Sequence, residues 1–283
     1  MADQSLPTAA SAPSRASRRK VDLRRQPGFG TLAFFCIAFL YAPIFILVAY
    51  SFNETRSVSQ WSGFTLDWYA KVFENKEMKE AAWNSLQIAG FATVVATTIA
   101  TMAALATTRT RPWRGQTAAY MTINMPLMVP EIVTAIATLI FFALLFNVLG
   151  LSFGIGNLMI AHTVFCIPFA YMPIRARLED MDRTLEQAAA DLYATPWQTF
   201  RRVTLPLMMP GITAGATLAF VVSFDDFTIT VLLAGPGQST LPIYIWTSLR
   251  RGISPEINAM SSLLLLVSVL LVTVSFIIGR RRK

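Results

Sequence analysis

The chain has 283 residues, 54% of them hydrophobic and 14% charged, with a mean hydropathy of +0.50. Soluble globular domains carry about a quarter of their residues as charges, so this composition excludes an ordinary soluble domain and points to an integral membrane protein. The net charge of +8 arises from 24 Lys and Arg against 16 Asp and Glu; the bases are dispersed around apolar runs, where membrane topology explains them and nucleic acid does not.

Residues 1–30 are rich in Ala, Ser, Pro and Arg, and Arg15, Arg18, Arg19, Lys20, Arg24 and Arg25 face no acidic block. This predicts a disordered basic cytoplasmic tail, with residues 31–283 forming one membrane domain. Residues 31–51 are long enough to span a bilayer and lack an A-x-A-like cleavage site, which makes them an uncleaved first span with Pro43 as a kink point. Residues 52–82 place Trp61, Phe64, Trp68, Tyr69 and Phe73 among charges, the mark of a partly helical segment at the membrane surface. The second span, residues 83–108, is rich in Ala and Thr, as at close helix–helix contacts. A short basic loop with Arg109, Arg111 and Arg114 follows. The third span, residues 117–146, is interrupted by Pro126 and Pro130 and carries Asn124 and Glu131. After a turn at residues 147–156 the fourth span runs to about residue 174.

A polar stretch then occupies residues 179–210. Thr184 with Gln187, and Thr195 with Gln198, have capping-box spacing, and Pro196 suits a first helical position. Two short helices meeting near Tyr193 and Ala194 are predicted. Leu185, Ala188, Ala189 and Leu192 fall at helical spacing and give the first helix a flat apolar face. Such a face either receives a partner or packs, as an ordinary loop, on the chain's own spans. The fifth span, residues 211–234, contains Asp225 and Asp226. A loop at residues 235–258 and the sixth span, residues 259–278, complete the chain before Arg280, Arg281, Arg282 and Lys283.

Six spans put both termini on one side. That side collects 18 of the 24 Lys and Arg, which makes it the cytoplasmic one. Arg250 and Arg251 fall outside, against the trend.

The polar stretch resembles the EAA loop of bacterial ABC-importer permeases. Gln187, Ala188, Ala189, Tyr193, Val203, Leu205 and Pro206 match that loop's E-A-A, G, I, L-P spacing. Gln187 stands where the family has Glu, with Glu186 adjacent, and Tyr193 stands where it has Gly. A Tyr in the left-handed conformation that such a Gly would take costs roughly 1–2 kcal/mol, so a differently built turn is expected. Beyond the loop, the chain resembles the second permease of spermidine/putrescine-type importers. That likeness rests on Tyr41-Ala42-Pro43, Tyr50-Ser51-Phe52-Asn53, Met128-Val129-Pro130-Glu131-Ile132, Ala161-His162-Thr163 with Phe165-Cys166, and Asp225-Asp226. It continues through Ala234-Gly235-Pro236-Gly237 with Leu241-Pro242 and Ser254-Pro255-Glu256-Ile257-Asn258-Ala259. The resemblance implies an all-α, six-span type I permease fold in the bacterial inner membrane. Its partners would be a homologous permease subunit, two ATPase subunits and a periplasmic solute-binding protein. It also implies that Glu186, Gln187, Ala188, Ala189, Asp191, Leu192, Tyr193, Leu205 and Pro206 form the ATPase-coupling element. Members of the subfamily also carry opines, phosphonates and other small solutes.

No Walker A loop, phosphate cradle or nucleophile–base–acid set is visible, and the Gly235-Pro236-Gly237 run reads as a turn. No cofactor is therefore expected in this chain; ATP and Mg would belong to the ATPase partner. Cys36 and Cys166 lie in apolar runs without CxxC spacing, and His162 is the single histidine, so metal and disulfide readings are weak. The acids within spans are the informative polar groups, because an ionisable residue at membrane depth is costly unless paired or hydrated. Glu131 is read first as a carboxylate bonded to Asn, Thr or backbone freed by the prolines, and second as a path residue. Asp225 and Asp226 are read as lining a water-filled path suited to a cationic solute, since neighbours on a helix diverge by about 100°. Trp61, Tyr244 and Trp246 are read as interfacial anchors. The resemblance and the acids together point to a permease for a small cationic solute, a polyamine above others. The rival is an ion-coupled secondary transporter using the same acids, which leaves the helical polar stretch without a role.

Overall fold

Long apolar runs without water to satisfy their backbone must form helices, and the computed structural model is helical throughout. It describes residues 29–55, 60–252 and 255–280; the basic tail at residues 1–28, Arg56, and the bases at residues 281–283 lie outside them. In chain order the helices are α1 Phe29–Tyr50, α2 Asp67–Glu74, α3 Lys76–Thr108, α4 Gln116–Met128, α5 Glu131–Leu149 and α6 Ile155–Asp180. They continue with α7 Thr184–Asp191, α8 Pro196–Thr199, α9 Leu205–Phe224, α10 Thr228–Leu233, α11 Leu241–Arg251 and α12 Pro255–Arg280. Six stretches among the described residues are long and apolar enough to cross a membrane: Gly30–Tyr50, Lys76–Thr108, Glu131–Leu149, Ile155–Asp180, Pro196–Phe224 and Pro255–Val274.

The chain divides into two compact units, Met1–Ile46 and Leu47–Lys283. The described part of the first is most of α1, which stays helical through Pro43. The second holds the core, built on α3, α6 and α9. Ala96, Ala100 and Ala104 recur every fourth residue along α3, so they line one face. They are fully buried against Ala170, Tyr171 and Ile174 of α6 and Met208 and Ala219 of α9. Small residues let the backbones approach closely, as in membrane helix pairs. The α6–α9 contact is tightest at Gly215, where a Cβ would lie 2.6 Å from the Ala170 carbonyl oxygen.

Several boundaries differ from those expected, each for a local reason. Helix α3 begins about two turns early, at Lys76, because the Asn75 side chain accepts from the Met78 N–H at 3.1 Å and caps it there. The third span divides at Val129 and Pro130: Val129 is extended, as a residue before proline prefers, and α5 starts afresh at Glu131. The second helix of the polar stretch does not stop before the fifth span. It continues from Pro196 through a π turn at Phe200–Thr204 into α9, making one 29-residue stretch. Pro206 has no N–H for the Arg202 carbonyl, and the Leu205 N–H reaches back five residues to Phe200, which accommodates the irregularity. The fifth span ends early, at Phe224, and Asp225 to Phe227 separate it from α10. The expected loop at residues 235–258 contains α11, with Pro242 in its first turn. The Gly235-Pro236-Gly237 run is a turn with Gly237 at φ +77°.

Candidate functional site

Two groups of side chains stand apart from ordinary span packing. The first is the α7–α8 segment. Its N-terminal capping box does not form: Thr184 is the first helical residue, and its N–H donates to Asp182 Oδ1 at 2.9 Å. That bond and the Thr184 hydroxyl hold the Asp182 carboxyl below its ordinary range. A depressed folded value means the interaction contributes at pH above the unfolded value and is lost as pH falls through the folded one. The second box does form: Thr195 Oγ1 accepts from the Gln198 N–H at 3.3 Å, while Gln198 Oε1 accepts from the Thr195 N–H at 2.9 Å.

Between the two helices Tyr193 takes φ +60°. The Ala194 N–H donates to the Ala189 carbonyl at 3.1 Å, and the Tyr193 N–H to the Ala190 carbonyl at 2.9 Å. These two bonds make a Schellman turn. The expectation of a different turn at Tyr193 is therefore wrong. The backbone keeps the geometry a glycine would adopt, and the tyrosine bears the strain.

The exposed surface of this segment is apolar and aromatic. Leu192 is 82% exposed, Tyr193 95% and Trp197 67%, with Trp197 stacked on Phe200 at 5.6 Å. Gln187, Ala188, Asp191 and Pro206 are exposed beside them, and Ala189 and Leu205 are half-buried. Glu186 differs. Its Oε1 lies 3.2 Å from Arg109 Nε and accepts from the Thr204 hydroxyl at 2.8 Å, so it faces the chain itself.

The second group surrounds the break between α9 and α10. Asp226 is buried, and its carboxylate accepts from the Ile229 N–H at 3.3 Å and from the Thr230 N–H and hydroxyl at 3.0 Å. The side chain thus takes the place of the α9 backbone, which explains a break that no Pro or Gly marks. His162, from α6, lies 3.4 Å from Asp226 Oδ2; it bonds the Ser223 hydroxyl through Nδ1 at 2.8 Å and the Thr230 hydroxyl through Nε2 at 3.0 Å. Glu131, at the head of α5, sits beside Asp226 and Thr228. A buried network of His162, Ser223, Asp226 and Thr230 therefore joins α6, α9 and α10, with the exposed Glu131 of α5 at its edge. As a single histidine in an apolar run, His162 gives no sign of this network in the sequence, since its partners lie 61 and 68 residues away.

Asp225 points elsewhere. It is exposed and lines a cavity of about 300 Å³ with Phe227, Pro242, Ile245, Trp246, Leu249, Ser261 and Leu264. Phe227 and Trp246 are 5.5 Å apart, and the Arg250 guanidinium sits over Trp246 at 5.4 Å. The expectation that the two aspartates diverge along one helix is corrected by this break: α9 ends at Phe224, and both lie in the non-helical link to α10.

Residues 96–281 match the family described as binding-protein-dependent transport system inner membrane component. The chain belongs to that family. Putrescine transport system permease protein PotI of Escherichia coli K12 is 39% identical over 229 residues, covering 80% of this chain and 82% of that protein. Spermidine/putrescine transport system permease protein PotC of the same strain is 37% identical over 243 residues, covering 86% and 90%. Among solved structures, the chain resembles a bacterial ABC transporter of alginate in complex with its alginate-bound periplasmic protein. The TM-score is 0.69 at 19% identity, over 89% of this chain and 92% of that one. The inward-facing MetNI methionine ABC transporter matches with a TM-score of 0.60 at 20% identity, over 72% and 94%. At such identities the likeness is one of fold. The chain is thus an ABC-importer permease with the expected six-span all-α architecture, and it is a transport subunit, not an enzyme.

Proposed function

We propose that this permease moves a small cationic solute of the polyamine class, putrescine or spermidine, into the cytoplasm by alternating access driven by two ATPase subunits. A homologous permease and a periplasmic solute-binding protein complete the complex. The observation that carries the solute class is the Asp225 cavity: one exposed carboxylate lining the same space as the paired aromatic rings of Phe227 and Trp246. Carboxylate and aromatic faces together suit an alkylammonium group, and Trp246 already accepts the Arg250 guanidinium. The putrescine and spermidine names of the E. coli relatives support the same class. Phe224 lies about 30 Å along α9 from Leu205, so the cavity sits far from the α7–α8 surface, where a solute entering from the opposite side would meet it.

The exposed Leu192, Tyr193 and Trp197 surface is the ATPase-docking element, with Ala188 at its flat centre. Positive-inside asymmetry supports a cytoplasmic location for it and for both termini. ATP and Mg bind the ATPase subunits; this chain holds the path. Glu131 and Asp226 serve the path by fixing its wall, and Asp225 faces it.

The test is uptake of labelled putrescine by the reconstituted complex carrying Asp225→Asn. Maximal uptake is expected to fall severalfold with little change in apparent affinity, because the binding protein sets affinity. Wild-type uptake in this variant would remove the charge argument for the solute class.

A further inference from the structure

Helix α3 ends at Thr108 with Arg109 as its C-cap, and Glu186 lies in the first turn of α7, which begins at Thr184. A cation at a helix C-terminus and a carboxylate in a first turn each complement the helix dipole. The two meet at 3.2 Å, with their side chains only 13% and 21% exposed. Among the described residues Glu186 is the one carboxylate within ion-pair reach of Arg109. The same Glu186 oxygen accepts from Thr204, in the π turn that leads into α9. A parallel contact reinforces the junction: Arg183 Nη2 donates to the Thr108 carbonyl at 2.6 Å, the last carbonyl of α3.

We infer that Glu186 is a positioning residue that transmits displacement of the docking helix α7 to α3 and α9, through Arg109 and Thr204 respectively. This rests on the proposed ATPase docking at α7–α8. Three elements meet at one carboxylate oxygen, and α3 and α9 are the helices that pack on α6 to form the core. A push on α7 therefore reaches the centre of the membrane domain without passing through the exposed loops. Shielding from water makes such a pair geometrically demanding, unlike a solvated surface pair. Glu186 was grouped with the ATPase contacts by its place in the motif; its side chain is turned inward, and its role is to carry motion rather than to touch the partner.

The experiment uses the full transporter in vesicles and reads putrescine taken up per ATP hydrolysed, together with the amount of ATPase subunit that co-purifies. Arg109→Gln is expected to lower that ratio roughly fivefold or more, the lower end of coupling between linked sites, with co-purification as in wild type. Arg109→Lys, which keeps the cation, is expected to stay within about twofold, and the exchange R109E/E186R to recover at least about half of the loss. Thr204→Val, a small change at a site outside the ion pair, is expected to lower the ratio more mildly and reports on the latch even where Arg109→Gln fails to assemble. A wild-type ratio in Arg109→Gln or Thr204→Val, or an exchange no better than Arg109→Gln, would overturn the inference alone. Failure of ATPase subunits to co-purify with the wild-type chain would overturn the docking reading and the inference with it.

Discussion

Asp226 accepts two backbone N–H groups and a hydroxyl, whereas Asp225 faces an aromatic-walled cavity. Exchanging either for Asn should therefore give different failures. Asp226→Asn puts an amide where only acceptors fit and leaves a buried group unsatisfied, at about 1–3 kcal/mol. It should lower the thermal stability of the purified chain, whereas Asp225→Asn should leave stability unchanged and lower uptake. Equal stability of the two variants, measured by thermal scans in detergent, would contradict this division. Tyr193 offers a second test at this scale. Its left-handed backbone costs about 1–2 kcal/mol, partly offset in Tyr193→Gly by about 0.5–1 kcal/mol of glycine freedom. The variant should slow limited proteolysis at the α7–α8 turn; faster cleavage would mean that the exposed ring, not the backbone, holds the turn. The sequence marks Tyr193 as a departure from glycine, but the price of keeping the turn is visible only in its φ of +60°.

Helices α6 and α9 meet where Gly215 lies against the Ala170 backbone, and a backbone cannot yield as a flexible side chain can. Gly215→Ala should open this contact, costing on the order of 1–3 kcal/mol as overpacking does, and reduce the amount of intact complex recovered. Gly90, with nothing within 4 Å of an added Cβ, provides the control. On the docking side, Ala188→Glu places an ion on a flat exposed face, where burial against a partner would strand it. It should abolish ATPase co-purification while the permease still reaches the membrane. The Ala spacing of α3 and the Thr195 box were legible because both are local patterns. The break that Asp226 makes between α9 and α10, and the continuation of α8 into α9, were not. The first depends on one side chain outcompeting its own backbone, and the second on a π turn that tolerates Pro206.

At the scale of the whole molecule, six apolar stretches and a family match over residues 96–281 define the chain as an importer permease. Hydropathy alone revealed the spans because each is longer than a buried soluble helix needs to be. The network of Glu131, His162, Ser223, Asp226 and Thr230 escaped the sequence reading because four separate elements bring it together. These same acids would serve an ion-coupled carrier, so the energy source decides between the two readings. The measurement is putrescine uptake by vesicles containing the full complex and the binding protein, with ATP and ion gradients varied independently. Uptake that requires ATP and persists when proton and sodium gradients are collapsed is the predicted result. Uptake by this chain driven by an ion gradient, without ATP or ATPase subunits, would contradict it.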